Sequence, residues 1–293
     1  MRIWLNAARP RTLPAAVAPV FVGTAAAYES VGHMPRWGAF VAALVASILI
    51  QIGTNLANDY SDARRGADSA DRLGPVRVTA AGLVTPRRVL VATWIAFGIA
   101  ALLGVYLAFV AGPIILLVGA VSIAAGVLYT GGPRPYGYAG LGEVFVFLFF
   151  GLVSVNGSYY VQLEEITHFS FGLSVAVGCL ATAILVVNNT RDMDTDRRAG
   201  KNTLAVRMGR KRSRDFYMYL VLLAYIALVI TVVRNDGPWP ALLGLLALPL
   251  TIKPIRAVRT RTDGPSLNAA LAQTGAALGV FSLLIAIGLV IGA

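Results

Sequence analysis

Long apolar stretches dominate this chain, and they constrain its fold more than any other feature. An α-helix rises about 1.5 Å per residue and the hydrocarbon core of a bilayer is about 30 Å thick, so roughly 20 apolar residues cross it. The sequence has 293 residues, 57% of them hydrophobic, and contains nine such stretches. It therefore predicts an all-α integral membrane protein with nine transmembrane helices. The predicted spans are Leu13–Tyr28, Trp37–Leu56, Val89–Val110, Ile114–Tyr129, Gly142–Tyr160, Phe169–Val187, Phe216–Val233, Trp239–Ile252 and Leu267–Ile291.

Charge placement predicts the orientation of these spans. If nine helices cross the membrane, the N-terminus and the loops after the even-numbered spans hold 23 of the 25 lysines and arginines, and only Arg36 and Arg234 lie on the other side. Basic loops face the cytoplasm, so we expect the N-terminus inside, the C-terminus outside and a location in the cytoplasmic (inner) cell membrane. The first and eighth spans are the weakest, because Pro14 and Pro19 interrupt one and Pro249 lies near the end of the other.

The net charge of +11 has a simple explanation in this setting. Basic residues at the cytoplasmic surface attract anionic lipid headgroups, so the lipid bilayer accounts for the charge and no nucleic-acid partner is predicted. No obligatory protein partner is evident in the sequence. The single cysteine, Cys179, lies within the sixth span, where we expect it to pack and not to bind metal.

Acidic and amide residues form two runs directly after the second and sixth apolar stretches. The runs read NLANDYSD at residues 55–62 and NNTRDMDTD at residues 188–196. In each run three polar residues recur at intervals of three or four positions, so each trio lies on one face if the helix continues. Because both runs follow even-numbered spans, we expect them to meet at one membrane face. The trios are Asn55, Asp59 and Asp62, and Asn188, Asp192 and Asp196.

The two runs are also followed by similar residues. Gly66 and Gly200 stand at the same distance from the last aspartate of their runs. This similarity suggests an internal repeat of about four helices, with motifs at 55–68 and 188–201, within a single domain of residues 1–293. Repeats of this kind place binding sites where the two halves of a membrane protein meet.

Converging carboxylates in an apolar setting need cations. An ionised carboxylate at the bilayer centre costs about 2.5 to 3.5 kcal/mol on insertion scales. Oxygen ligands without Cys or His suit Mg²⁺, which bridges carboxylates to substrate phosphates. We therefore predict Asp59, Asp62, Asp192 and Asp196 as metal ligands, with Lys201 on the outer oxygens of a diphosphate. A phosphate at the mouth of an apolar bundle indicates an amphiphile such as a prenyl diphosphate.

The segments NDYSDARRGAD and RDMDTDRRAGKNTLAV resemble the two aspartate-rich motifs of the UbiA superfamily of intramembrane aromatic prenyltransferases. The resemblance covers most of the chain, and it implies a bundle of nine transmembrane helices whose motifs face a central cytoplasmic cavity. Three segments are most similar to family members that prenylate 1,4-dihydroxy-2-naphthoate. They read ARPRTLPAAVAPVFVGTA, NLANDYSDARRGAD and YTGGPRPYGYAGLGEVFVFLFFG.

This resemblance implies a reaction and a set of site residues. The reaction is Mg²⁺-dependent transfer of a polyprenyl group from polyprenyl diphosphate to 1,4-dihydroxy-2-naphthoate, with loss of CO₂, to give demethylmenaquinone for menaquinone biosynthesis. Many family members carry an acid four residues after Asp62. Here that position is Gly66 and the acid follows at Asp68, whose role as ligand, base or structural residue stays open. The implied catalytic residues are Asp62, Asp68, Lys201 and Arg77, and the implied substrate contacts include Asn55, Asn188 and Asn189.

The sequence indicates less about the residues that bind the aromatic acceptor than about those that bind the diphosphate. Arg11, with Arg9 nearby, precedes the first span and is able to pair with a carboxylate, but an interfacial arginine is as often a topology anchor. Glu143 begins the fifth span, where it either lines the cavity or interacts with the helix dipole. Aromatic residues are common at membrane interfaces, yet we predict substrate contacts from the loop after the fourth span. The loop offers Tyr129, Arg134, Tyr136 and Tyr138, and Tyr129 is preferred because it ends a span on the cytoplasmic face.

Two alternative functions remain open from the sequence. A UbiA-type enzyme that acts on another acceptor, such as 4-hydroxybenzoate, homogentisate or haem, shares both acidic motifs. A secondary transporter also uses internal repeats and intramembrane acids, but its acids are expected near the bilayer midplane. Both acidic runs here lie at the ends of apolar stretches, which favours the enzyme.

Overall fold

Helices make up almost the whole of the computed structural model, which describes residues 2–34, 36–67, 73–74 and 76–293. Asp68, one of the predicted catalytic residues, lies outside the described residues. A 3₁₀ turn, Pro10–Thr12, separates the first two helices. The helices are α1 (Arg2–Ala8), α2 (Pro14–Val31), α3 (Trp37–Arg64), α4 (Pro86–Ala111), α5 (Ile114–Leu128), α6 (Gly142–Leu163), α7 (His168–Arg198), α8 (Leu204–Arg234), α9 (Trp239–Thr260) and α10 (Gly264–Ile291). The first part of α9, Trp239–Ala247, is a 3₁₀ helix.

Each apolar stretch predicted from the sequence coincides with one of these helices, apart from the terminal residues Leu13 and Tyr129, which lie just outside α2 and α5. Seven of the helices, α3, α4 and α6 to α10, are long and apolar enough to cross a membrane. The other two stretches correspond to α2, which contains Pro19, and α5, which has 15 residues. The all-helical membrane class is confirmed, and the count of nine spans stays a prediction.

Helix α7 is the centre of the bundle and packs against α6, α8 and α10. Of its apolar segment 78% is buried, the largest share among the seven candidate spans. Leu173, Val177 and Leu180 of this helix are fully buried in the main core. On α4, in contrast, Phe109 is 87% exposed, as expected for a side chain that faces lipid.

Helices α3 and α7 continue well past the predicted apolar spans, so both acidic runs are helical. Each helix is followed by a glycine in the left-handed conformation, Gly66 with φ 65° and Gly200 with φ 74°. The amide after each glycine donates back to the carbonyl of the last aspartate of the run. This bond measures 3.0 Å to Asp62 O and 2.8 Å to Asp196 O. Both helices thus end in a Schellman motif, which needs a residue that tolerates positive φ.

The matching caps align the two acidic runs residue by residue. Asp62 and Asp196 occupy the same position relative to their caps. Counted back from there, Asn58 corresponds to Asp192 and Asn55 corresponds to Asn189. In the sequence the last two members of the trios are three residues apart in the first run and four in the second. The alignment by the caps removes this difference. In this alignment Asp59 corresponds to Met193, and both of these side chains are buried.

Candidate active site

A cavity of about 340 Å³ lies among the helices, and both acidic runs contribute to its lining. This confirms that the runs meet on one face of the bundle. The rest of the lining is mostly apolar. The cavity therefore combines a polar site, suited to the head group of an amphiphile, with a hydrophobic wall. Its polar lining residues include Asn55, Asn58, Asp62, Arg77, Asn188, Asn189, Asp192, Asp196 and Lys201. Its apolar lining residues include Ile50, Leu107, Ile115, Val118, Phe145, Phe149 and Phe150.

The apolar wall owes part of its shape to an irregular turn in α6. Residues Phe147–Val153 form a π-helical segment, and insertions of this kind are frequent at functional sites. Phe149, Phe150 and Val153 of the segment line the cavity. On its other side Gly151 meets Gly178 of α7, since a Cβ on Gly151 would lie 2.6 Å from the Gly178 Cα. Close helix contact of this kind uses small residues.

The carboxylate of Asp62 is the centre of the polar site. It is 1% exposed and accepts hydrogen bonds from three side chains. Arg77 Nη2 and Lys201 Nζ reach Oδ2 at 3.0 and 3.1 Å, and the Tyr138 hydroxyl reaches Oδ1 at 2.6 Å. One carboxylate thus holds two cations, and the excess positive charge suits an anionic substrate group.

The cap of α7 places Lys201 in this site. Its backbone amide closes the Schellman motif on Asp196, and its ammonium group lies 4.8 Å from the centre of the Tyr138 ring. The next residue, Asn202, donates its amide to the Tyr138 carbonyl at 3.0 Å. The side chain is 8% exposed. A lysine that is buried between a carboxylate and an aromatic face holds its ammonium group at a defined position.

Asp59 anchors a loop in the structure. Its two oxygens accept the backbone amides of Val78 and Thr79, each at 3.0 Å. The residue before them is Arg77, so Asp59 fixes the loop that carries one of the Asp62 partners. Asp59 is buried and lies outside the cavity lining. The geometry therefore favours a structural role, while the predicted metal-binding role of Asp59 stays a prediction.

In the second acidic run, Arg191 organises the neighbouring polar side chains. Its Nε and Nη2 donate to the Asp192 carboxylate at 2.8 and 2.6 Å. The same guanidinium donates to Asn188 Oδ1 at 2.8 Å and to Asn268 Oδ1 of α10 at 2.7 Å. Asn188 and Asp192 both line the cavity, and so does the half-buried Asp196. Arg191 thus fixes the orientation of two predicted site residues.

The segment between α1 and α2 lies over α3 and brings one arginine to the cavity. Asn55 Nδ2 donates to the Ala8 carbonyl at 3.0 Å, and Gln51 Nε2 donates to the Thr12 hydroxyl at 3.1 Å. Arg9, with a left-handed φ of 54°, lines the cavity. Arg11, the predicted partner of the acceptor carboxylate, is exposed and lies outside that lining. The geometry therefore favours Arg9 over Arg11.

Of the four predicted residues in the loop after α5, the three tyrosines line the cavity. The rings of Tyr129 and Tyr136 are in an edge contact at 5.4 Å. Tyr136 stacks on Phe145 at 3.9 Å and donates to the Ala125 carbonyl at 2.8 Å. Burial raises the pKa of the Tyr136 phenol, so this group is a donor and not a base near neutral pH. Arg134 is exposed and outside the lining.

Glu143 lies in the first turn of α6, behind the cavity wall. It is 4% exposed, and its Oε1 accepts from Asn189 Nδ2 at 2.8 Å. Its Oε2 has no hydrogen-bond partner among the described residues. Asn189 lines the cavity, whereas Glu143 does not. Glu143 therefore influences the site through Asn189.

Two residues that the structure places at the site, Asn58 and Arg191, were not predicted from the sequence. Asn58 precedes Asp62 by one helical turn and accepts from the Thr130 hydroxyl at 2.9 Å. Arg191 directly precedes Asp192, and adjacent residues of a helix do not face each other. Tyr138 was a candidate from its loop, 76 residues beyond Asp62, but no local pattern indicates its hydrogen bond to that aspartate.

The UbiA prenyltransferase family model matches residues 16–276. The 1,4-dihydroxy-2-naphthoate octaprenyltransferase of Mycobacterium tuberculosis is 43% identical over 289 residues, which cover 99% of this chain and 97% of the relative. The enzyme of the same description from Escherichia coli is 38% identical over 98% of this chain and 94% of the relative.

The fold is also similar to that of a solved structure. A UbiA homologue from Archaeoglobus fulgidus, bound to DMAPP and Mg²⁺, superimposes with a TM-score of 0.68. The comparison covers 97% of this chain and 99% of that chain, at 13% sequence identity. At this identity the similarity concerns the fold alone.

Proposed function

The chain belongs to the UbiA prenyltransferase family, and on that premise we propose that it transfers a polyprenyl group from polyprenyl diphosphate to 1,4-dihydroxy-2-naphthoate. The product is the quinol form of demethylmenaquinone, an intermediate of menaquinone biosynthesis. Full-length relatives of 43% and 38% identity carry this activity in their names. The observation that carries the proposal in this chain is the pair of cations, Arg77 and Lys201, held on Asp62 in a cavity with an apolar wall.

Mg²⁺ is the cofactor we propose. Asp192 and Asp196 line the cavity, and one or two carboxylates together with substrate phosphates are the ligands that Mg²⁺ prefers. Among the described residues no three His, Cys, Asp or Glu side chains gather closely enough to hold an ion, so diphosphate oxygens would complete the coordination. When bound, Mg²⁺ neutralises negative charge on the leaving diphosphate. The A. fulgidus homologue is bound to both DMAPP and Mg²⁺.

The first step is the cleavage of the allylic carbon–oxygen bond. Lys201 and Arg77 stabilise the charge that grows on the diphosphate, because both are already fixed by Asp62 before the substrate arrives. The side chains of Phe149, Phe150 and Val153 provide an apolar wall for the polyprenyl chain. This wall also keeps water away from the electron-deficient allylic carbon.

The second step is attack by the electron-rich naphthoate ring. Its carboxyl-bearing carbon forms the new bond to the allylic carbon, and the carboxylate leaves as CO₂ while its bonding electrons return to the ring. This restores aromaticity without an external oxidant or reductant. Arg9, Tyr129 and Tyr136 line the cavity, and we assign them to the acceptor, with Arg9 on its carboxylate.

For the membrane arrangement we propose nine spans, with the N-terminus inside, the C-terminus outside and the cavity mouth toward the cytoplasm. The support is the bias of 23 of 25 basic residues to one side. In a Cys179→Ser background, a membrane-impermeant maleimide added to intact cells should label a cysteine at Asp236 but not one at Arg134. The opposite pattern would reverse the orientation.

We also propose that residues 1–293 form a single domain with an internal repeat. The matched Schellman motifs after Asp62 and Asp196 support this. The repeat would explain why both halves deliver an acidic helix end to one cavity.

The reaction is tested with purified full-length protein in nanodiscs. The protein is incubated with a polyprenyl diphosphate and 1,4-dihydroxy-2-naphthoate, with and without Mg²⁺, and the prenylated quinol and CO₂ are measured by mass spectrometry. We expect Mg²⁺-dependent product that is absent in a Lys201→Met variant. Product with 4-hydroxybenzoate or homogentisate alone would retain the family and overturn the acceptor, whereas no product from folded protein would overturn the proposed function.

A further inference from the structure

A second charged site lies outside the substrate cavity, in an open cleft between α8 and α9. None of the residues that line it belongs to the lining of the cavity. We call this site the basic cleft. Its lining residues are Arg210, Lys211, Arg214, Asp215 and Arg259.

The cleft gathers its cations from two helices. Gly209, with φ 78° and ψ 164°, interrupts α8, and the long part of that helix begins with Arg210. Arg210 and Arg214 are one turn apart, a spacing at which like charges destabilise a helix. Arg259 joins them from α9. The positive-inside rule explains many basic residues at this surface, but it does not require that they converge.

The basic residues of the cleft are only partly neutralised by protein acids. Arg210 Nη2 pairs with Asp194 at 2.8 Å, and its Nη1 donates to the Thr190 carbonyl at 3.1 Å. Arg214 Nη2 donates to the Arg261 carbonyl at 2.7 Å, while its buried Nε has no hydrogen-bond partner among the described residues. With Asp215 the cleft thus faces four cations and two acids, which leaves an excess of positive charge.

The position of the cleft indicates what kind of anion it takes. Because Arg210 contacts Asp194 and Thr190, the cleft lies on the same membrane face as the two acidic runs. The apolar part of α8 begins directly after Asp215, and Tyr219 and Leu222 within it are 62% and 54% exposed. An anion bound in the cleft therefore stands beside a surface that faces lipid tails.

We propose that the basic cleft binds the phosphate group of an anionic phospholipid, whose acyl chains lie along the exposed apolar side of α8. Basic pockets between membrane helices bind anionic lipid headgroups, because their positive charge attracts the phosphate and they lie beside the lipid tails. The arginines supply forked donors for phosphate oxygens. The four cations outnumber Asp215 and Asp194, and the net positive charge that is left suits the single negative charge of a phosphodiester group.

Native mass spectrometry of the full-length protein in detergent tests the proposal, with phosphatidylglycerol, phosphatidylcholine and inorganic phosphate as separate probes. The variant Lys211→Gln/Arg259→Gln removes two cleft charges from exposed positions. The matched control is Arg212→Gln/Arg256→Gln, which removes two exposed charges from the same helices but outside the cleft. We expect the cleft variant to bind phosphatidylglycerol roughly tenfold more weakly or worse, and the control to bind as the wild type does.

Three results would overturn the proposal. An equal loss in the control variant would mean that surface charge, and not the cleft, attracts the lipid. Phosphatidylcholine bound as tightly as phosphatidylglycerol would remove the role of the anionic headgroup. Inorganic phosphate that displaces phosphatidylglycerol at equal concentration would assign the cleft to a free anion. Arg214→Gln, with folding checked by circular dichroism, provides a second variant and is expected to weaken binding to a similar degree.

Discussion

The hydroxyl of Tyr138 donates a 2.6 Å hydrogen bond to Oδ1 of Asp62 and so joins the loop after α5 to the end of α3. The carbonyl of the same tyrosine accepts the amide of Asn202, and its ring lies against Lys201. Tyr138 therefore contacts both segments that carry the proposed diphosphate site. The position of Lys201 relative to Asp62 depends on this one residue as well as on the direct ion pair.

Tyr138→Phe should reduce turnover without unfolding the protein. The substitution keeps the aromatic face for Lys201 and removes a hydrogen bond to a charged group, which is worth about 1.5 to 3 kcal/mol. We expect kcat/KM for the polyprenyl diphosphate to fall roughly tenfold or more. Tyr219→Phe, at an exposed position, is the control. Unchanged kinetics in Tyr138→Phe would show that the hydroxyl has no part in the site.

A double-mutant cycle on Asp62 and Lys201 should show strong coupling. Their side chains meet at 3.1 Å and both are buried. Removing one partner of a buried pair costs about 3 to 5 kcal/mol, because the other charge is left uncompensated. Here Arg77 remains beside Asp62 at 3.0 Å, so we expect Lys201→Met to be the milder single change in thermal stability. The variants Asp62→Asn, Lys201→Met and their combination are compared by melting temperature and by product formation, and additive effects would contradict the coupling.

Asp59 and Asp196 should respond differently to substitution by asparagine. Asp59 uses both oxygens for backbone amides, so Asp59→Asn leaves one amide without an acceptor and costs about 1 to 3 kcal/mol of stability. Asp196 lines the cavity, so Asp196→Asn should raise the Mg²⁺ concentration for half-maximal activity roughly tenfold or more. Mg²⁺ titrations and melting curves of both variants separate the two roles. An equal increase in Mg²⁺ requirement for Asp59→Asn would make it a metal ligand.

The sequence predicted the helices and the meeting of the two acidic runs for a clear physical reason. A segment in lipid must satisfy its backbone hydrogen bonds internally, so long apolar stretches become helices. Gly66 and Gly200 were visible as equivalent residues, and the cap at Gly200 places Lys201 in the cavity lining, where its contact with a diphosphate stays a prediction. The features that depend on residues close together in the sequence, namely the helices and their caps, were therefore predictable.

The direction of individual side chains was less predictable. A shift of one residue on a helix turns a side chain by about 100°. The sequence predicted a site role for Asp59, whereas its neighbour Asn58 lines the cavity in the structure. Arg9, which has a left-handed backbone, lines the cavity and Arg11 does not, and nothing in the residue type indicates that conformation. Tyr138 reaches Asp62 through tertiary packing, which the spacing of residues in the sequence does not predict.

Gly151→Ala should destabilise the protein and lower its activity. The added Cβ would lie 2.6 Å from the Gly178 Cα and 2.9 Å from the Ser174 carbonyl oxygen, so α6 and α7 would have to separate. Overpacking of this kind costs about 1 to 3 kcal/mol, and it would displace the cavity wall formed by Phe149 and Phe150. Gly98→Ala in α4, where no atom lies within 4 Å of the added Cβ, is the control and should be neutral or stabilising in a melting experiment.

Arg9 and Arg11 offer the sharpest test of the acceptor site, because they differ by two positions and carry the same charge. Arg9 lines the cavity, whereas Arg11 is exposed outside it. If Arg9 pairs with the carboxylate of the naphthoate, Arg9→Gln removes a charge-assisted interaction of about 1.5 to 3 kcal/mol. We therefore expect the KM for 1,4-dihydroxy-2-naphthoate to rise roughly tenfold or more, with little change in the KM for the polyprenyl diphosphate.

Arg11→Gln removes the same charge from the same surface, so it controls for membrane electrostatics and for the topology of the first span. We expect it to leave both KM values within about twofold of the wild type, since an exposed charge contributes little to a specific contact. Steady-state kinetics with each substrate varied in turn distinguish the variants. A rise in the acceptor KM for Arg11→Gln and not for Arg9→Gln would assign the binding of the naphthoate carboxylate to Arg11. The exposed side chain of Arg11 would then have to turn inward when the naphthoate binds.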